Sequence, residues 1–182
     1  MTAARGTGAV AGPILLCYDG SPEAEHAIAF AAGLVPGARA LVVTVWKPVP
    51  EEALAPAGKP PASDPAEVNE EQRLGALRLA QLGAKKASAA GLQAEPIVAE
   101  ATGRLWQAVE LVAEEREATL IVCGTRRTGM TSMLPGHLAG ALVDHASVAV
   151  MVVPSPTAAA ERRREAHERH LLRPSPQPRV PA

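Results

Sequence analysis

The chain has 182 residues, with 18 Lys and Arg against 19 Asp and Glu, a formal charge of −1, and 47% hydrophobic but only 2% aromatic residues. That is the length of one ordinary domain with extensions, and its near-neutral balance and scarce aromatics argue against both an electrostatic grip on nucleic acid and a stacking platform for bases. Two cysteines without a CxxC or Cys/His cluster do not make a disulfide scaffold or a structural zinc site, no apolar run reaches membrane-spanning length, and residues 1–12 lack a signal-peptide core, so the expectation is a soluble, reduced, cytoplasmic protein with no membrane partner.

In chain order, residues 1–12 read as a flexible N-terminus, and ILLCY at 14–18 is the first of several aliphatic runs suited to strands buried on both faces. Ser21 is expected to cap the following helix, with Pro22 at its first position, Glu23 and Glu25 near its positive end, and Ala24, Ala27, Ile28 and Ala31 as its inward stripe. ALVVTVW at 40–46 is the second strand. Residues 47–65 hold six of the seventeen prolines and read as a long surface loop, because Pro lacks the N–H that ladders and helix interiors use. A long helix is expected over 67–90, with Leu74, Leu77, Ala80, Ala84 and Ala87 roughly periodic and Gly91 as its stop.

AEPIVA at 94–99 is the third strand, and its Pro96 assigns it to a sheet edge. Leu105, Val109, Val112 and Ala113 mark a helix packed on one face; TLIVC at 119–123 is the fourth strand. Leu138, Leu142 and Ala146 mark a short helix before the last strand, VAVMVV at 148–153. The remainder, 155–182, is a polar tail with six Arg and three Glu, net +3, which leaves −4 on the rest. It is expected to be partly helical over 158–172, with Glu165 and Arg169 paired at i, i+4, and otherwise disordered.

Five strands alternating with helices over 13–154 predict a single α/β domain, an open doubly wound parallel sheet with right-handed crossovers. In such sheets ligands sit outside the carboxyl ends of the strands where strand order reverses, which points to the loops after strands one and four. The first loop is Tyr18-Asp19-Gly20-Ser21. The second runs from Gly124 through Thr125, Arg126, Arg127 and Thr128 to Gly129, with Pro135-Gly136-His137 opening the next helix. Two readings of the second loop stand side by side: a phosphate cradle with Arg126 and Arg127 adding charge, or a turn-rich loop with solvated arginines.

The strand ending in Asp-Gly-Ser, the Ala-rich helix, the VTVW strand end and the late LIVCGTRR…LPGHLAGALVDHASVAVMVVP resemble the universal stress protein family over residues 13–154. The resemblance implies a Rossmann-like, adenine-nucleotide-binding fold with strand order 3-2-1-4-5, a homodimer contact at the last strand through Val148, Val150 and Val152, and a role in stress tolerance. It implies ATP or another adenine nucleotide as ligand, with Mg where phosphates are bound. Asp19 matches the family acid that faces base and ribose, with a turn-capping role as its alternative; the backbone near Val45 falls where adenine is read, and Trp46 is placed to close that pocket.

Nucleotide-binding members show G-x2-G-x9-G-(S/T). Here Gly124 matches the first glycine, Arg127 stands at the second, eight residues separate Arg127 from Gly136 where the pattern has nine, and His137 replaces the hydroxyl residue. Ala139 stands two positions further, where members often carry another Ser or Thr. The adenosine half is therefore expected intact and the phosphate loop degenerate.

Cys17 and Cys123 lie near the ends of strands one and four, as small core side chains or, if strand order follows the family, as a redox-sensitive pair. The five histidines lack metal-ligand spacing, and no Ser/His/Asp or Cys/His set assembles, so no enzyme is expected beyond slow nucleotide hydrolysis. The basic tail is either a solvated extension or a docking arm for an acidic protein partner. Two function classes follow: a dimeric nucleotide-responsive stress protein, or a nucleotide-free dimeric interaction protein that keeps the fold.

Overall fold

Aliphatic runs with no polar alternation satisfy themselves only when both faces are covered, and the chain builds that arrangement. The computed structural model describes residues 12–54, 64–125 and 138–171. The elements are β1 (Ile14–Cys17), α1 (Pro22–Leu34), β2 (Arg39–Trp46), α2 (Glu51–Leu54), α3 (Pro65–Ala89), β3 (Gln93–Glu100), α4 (Leu105–Glu115), β4 (Leu120–Thr125), α5 (Leu138–His145), β5 (Ala149–Pro154) and α6 (Pro156–Leu171). Every strand pairing is parallel, in the order β3-β2-β1-β4-β5.

Alternate residues of each strand feed two cores. Ile14, Leu16, Val42 and Val122 pack with Ala27, Ile28 and Ala31 of α1 and Ala84 and Ala87 of α3. Leu15, Leu41, Val43 and Ile121 pack on the other face with Val109, Val112 and Ala113 of α4 and Leu142 of α5. Small side chains let the helices approach the sheet closely. At Gly83 of α3 the fit leaves no room at all, since an added Cβ would lie 2.6 Å from the Tyr18 ring.

The helix starts follow their local chemistry. Ser21 Oγ accepts the Ala24 N–H at 3.2 Å, and Pro22 occupies the first turn of α1. Asp64 Oδ1 accepts the Ala66 N–H at 2.9 Å, so α3 begins at Pro65, two residues ahead of the sequence-based start. The segment expected to be loop throughout 47–65 therefore differs at both ends: it contains α2, and its last residue is helical. Asn69 of α3 clamps this segment, accepting the Val49 N–H at 2.7 Å and donating to the Val49 carbonyl at 3.2 Å.

β3 lies at an edge, as Pro96 demands. β4 runs two residues past its expected end, and β5 begins at Ala149, leaving Val148 just ahead of the strand. The polar tail opens as α6, capped by Ser155, whose Oγ accepts the Ala158 N–H at 3.2 Å. Ala158 is buried and the first turn of α6 borders one hollow together with Pro22 and Glu23 at the start of α1, whereas Arg162, Arg163 and Arg164 are exposed. The side chain of Arg169, expected to pair with Glu165, lies outside the described residues.

Candidate functional site

The central strands end at different heights, and that difference makes a crevice. β1 stops at Cys17; its last main-chain bond to β2 is the Tyr18 N–H donating to the Val43 carbonyl at 2.9 Å, reinforced by Thr44 Oγ1 donating to the Tyr18 carbonyl at 2.9 Å. β2 continues to Trp46. Alternate residues of a parallel strand turn their polar groups to the same neighbour, so Val45 aims its N–H and C=O to the side that Val43 shows β1, beyond the point where β1 has ended. Trp46 faces the other way, its carbonyl accepting the Ala101 N–H at 2.8 Å.

The crevice is a cavity of about 570 Å³ at the carboxyl ends of β1, β2 and β4, within the size range of small-molecule sites. Cys17 and Cys123 lie at its sheet end; Asp19, Ser21 and Glu23 line it from the β1–α1 turn; Thr44 and Val45 come from β2, and Gly124 and Thr125 from β4. Leu79 of α3, Leu105 of α4, and Leu138 and Ala139 of α5 give apolar walls. Trp46, expected to close the pocket, is not among the described lining; its carbonyl is tied to Ala101 on the β3 side, and Leu79, Leu105 and Leu138 supply the large apolar walls.

Asp19 has the turn-capping contact that the sequence offered as one of its two readings, and it stands at the cavity. Its Oδ1 accepts the Ser21 N–H at 3.0 Å, holding the turn whose Gly20 sits at φ 78°, and its exposed side chain also borders the cavity. Gly124 has a packing reason of its own. A Cβ there would collide with the Glu23 carbonyl and lie 2.9 Å from the Ala24 nitrogen, so the first turn of α1 requires glycine at this point of β4 whatever the cavity holds. Arg126, Arg127, Gly136 and His137 lie outside the described residues.

Sequence reasoning assigned Glu23 only to the helix terminus and overlooked Thr44, Leu79 and Leu105. Glu23 borders the cavity because α1 starts against β4, a contact between residues about 100 positions apart. The local signal for Leu105, an apolar residue opening a helix after a strand, was present but not distinctive. Within the described lining the charged groups are Asp19 and Glu23.

The thiols are shaped by burial. Burial pushes the Cys17 thiol well up, with Cys123 and then Asp19 adding to it, and burial pushes Cys123 up to about 11. Among the described residues no group of three or more His, Cys, Asp or Glu is arranged to hold a metal ion, and no helix is long and apolar enough to cross a membrane. The cavity, with the outward-turned backbone of Val45 on one side and the Asp19 carboxylate on another, suits a purine base with an attached ribose: base edges pair with main-chain N–H and C=O, and ribose hydroxyls donate to a carboxylate.

A family model described as the universal stress protein family matches residues 11–154. Among solved structures, a member of that family from Burkholderia pseudomallei is 24% identical, the match covering 82% of this chain and all of that one, with a TM-score of 0.61. The universal stress protein of Archaeoglobus fulgidus in complex with dAMP is 17% identical over 79% of this chain and 98% of that one, with a TM-score of 0.50. An Arabidopsis thaliana family member with AMP bound is 13% identical over 79% of this chain and 91% of that one, with a TM-score of 0.51. No curated protein matches the sequence. At these identities the structural likeness carries the fold, and the family match ends at residue 154, just before α6 begins.

Proposed function

Because the chain belongs to the universal stress protein family, we propose that it is a cytoplasmic, non-catalytic, homodimeric module that responds to an adenine nucleotide held mainly by its adenosine half. The observation that carries this reading is the pairing, across one cavity, of the Val45 main chain turned past the end of β1 with the carboxylate of Asp19. The structural neighbours with dAMP and AMP support the ligand class. The departures at Arg127 and His137 from the family's glycine pattern support a weak hold on the outer phosphates.

Calorimetric titration with ATP, ADP and AMP, with and without magnesium, tests it. The expected result is AMP binding within roughly tenfold of ATP and little effect of magnesium, because the interactions in common are those of the adenosine. Asp19→Asn, which keeps an oxygen for the Ser21 turn but removes the charge, should weaken all three nucleotides by roughly tenfold. ATP binding far more tightly than AMP and only with magnesium would show a working phosphate loop. Absence of binding at millimolar nucleotide would leave the second reading, a nucleotide-free interaction protein. That reading is favoured by one observation: Gly124 and Asp19 each have a structural task independent of any ligand.

The dimer is proposed through β5, whose Val150 and Val152 are half-buried at an edge with no further strand beside them among the described residues. Val148 precedes the strand on the same border. The exposed arginines of α6 offer a docking surface to an acidic protein partner.

A further inference from the structure

The floor of the cavity carries two thiols that the nucleotide reading does not use. β1 and β4 pair with Leu16 opposite Val122, and one further step in that register sets Cys17 opposite Cys123. Side chains of one register row leave the sheet on one face, and both cysteines belong to the core under α4 and α5 while both line the cavity. The row crosses the sheet as Ile97, Val43, Cys17, Cys123 and Val152, with the two cysteines neighbours in register at its centre. Neighbouring strands lie about 4.8 Å apart, inside the span of roughly 4.4 to 6.8 Å between Cα atoms that a disulfide bridges. Both thiols are free.

We propose that Cys17 and Cys123 form one modification site, a dithiol that a peroxide converts to an intrachain disulfide linking the strand ends that carry Asp19 and Gly124. In the first step a sulfur electron pair attacks one peroxide oxygen, the O–O bond breaks, and a sulfenic acid and water form. In the second, the other sulfur displaces the sulfenic oxygen as water. The balance is two thiols and one hydrogen peroxide giving one disulfide and two waters.

The surroundings select this product over a metal thiolate. A soft monovalent cation held by two thiolates would leave a net negative charge in an apolar floor beside Asp19 and Glu23, and a divalent one finds no third ligand there among the described residues, where α4 and α5 contribute Leu105, Leu138 and Ala139. A disulfide is neutral. The same burial slows the first step at neutral pH and favours Cys123, the less elevated thiol, as the attacking sulfur. This inference goes beyond the nucleotide reading and stands without it, since it uses the cavity and not its ligand.

The test treats the full reduced chain with hydrogen peroxide at pH 7.5 and 9.5, alkylates remaining thiols in denaturant, and maps the products by intact mass and non-reducing peptide analysis. The expected product is a chain two hydrogens lighter, unalkylated, with a Cys17–Cys123 linked peptide, formed faster at the higher pH and reversed by dithiothreitol. In Cys17→Ser, dimedone should trap a sulfenic acid on Cys123. Full alkylation at both pH values, sulfinic or sulfonic acid without the link, or links only between chains would overturn the proposal. Titrating reduced and oxidised protein with AMP keeps the two readings apart: no binding in either form removes the nucleotide reading and leaves the disulfide result in force.

Discussion

The two edges of the sheet, β3 and β5, are made of different material. Along β3, Gln93, Glu95, Pro96 and Glu100 are all exposed, and the strand is backed by the 25-residue α3. Along β5 the residues are Ala149, Val150, Met151, Val152, Val153 and Pro154, uncharged throughout, and the neighbouring helix α5 has 8 residues with Leu142 as its buried anchor. Charges and a mid-strand proline blunt the first edge, because an added strand would meet carboxylates and a missing donor; among the described residues the second edge has no charge and a proline only at its last position, Pro154. The same strand geometry thus carries a charged, proline-interrupted edge on one side of the sheet and a largely aliphatic edge on the other, by side-chain choice alone. The halves meet at the β1–β4 seam, where the cavity and the two thiols lie.

The comparison breaks most visibly at Val150. Val150→Asp would place an unpaired carboxylate in the proposed β5 interface, at a cost of about 3–5 kcal/mol, so the dimer should weaken by more than about a hundredfold. Light scattering over a concentration series reads this, and a dimer that persists would move the interface elsewhere. Next in size is Leu142→Ala, which empties the site of a side chain with 0% exposure that pins α5 to the β4–β5 half. Urea unfolding should show a loss of about 2–5 kcal/mol with an unchanged slope; a loss under 1 kcal/mol would mean that α5 is held by other contacts.

The seam responds to alkali. The folded chain keeps the Cys123 proton until about pH 11, whereas an unperturbed thiol releases it from about 9.0, so the unfolded state binds fewer protons in that window and stability falls as pH rises through it. The slope from this thiol is at most about 1.4 kcal/mol per pH unit. Denaturant midpoints measured from pH 8 to 10.5 should decline less steeply in Cys123→Ala, and an identical decline would separate the alkaline loss from the seam. Smallest is Pro96→Thr. Its effect on stability should stay within about 0.5 kcal/mol, but it restores a donor to the β3 edge, so association beyond the dimer should rise at high concentration. Unchanged sedimentation would show that the glutamates alone guard that edge.

Much of the fold was legible because its signals are local. Uninterrupted aliphatic runs announce doubly covered strands, Ser21-Pro22 announces a helix start, and Pro96 announces an edge; the structure reproduces each. Other features of the site depend on partners far along the chain. Trp46 is paired to β3, its carbonyl holding Ala101, and stands outside the described cavity lining. The glycine at 124 looked like a ligand-facing position, and its strictest constraint is the backbone of α1. Glu23 reached the cavity through that same contact.

By itself, then, the sequence determined the element order, the parallel sheet, the Pro-blunted edge and the acid after the first strand, because strand burial, capping and proline chemistry act within a few residues. Only the tertiary structure decided the rest. It set how far β2 outruns β1 to open the cavity, which side of Val45 faces it, why position 124 tolerates no side chain, and that two cysteines about 100 residues apart fall in one register row. Each of these is a distance between segments remote in sequence, determined by the packing of helices on the sheet and by strand pairing, which no local residue pattern encodes.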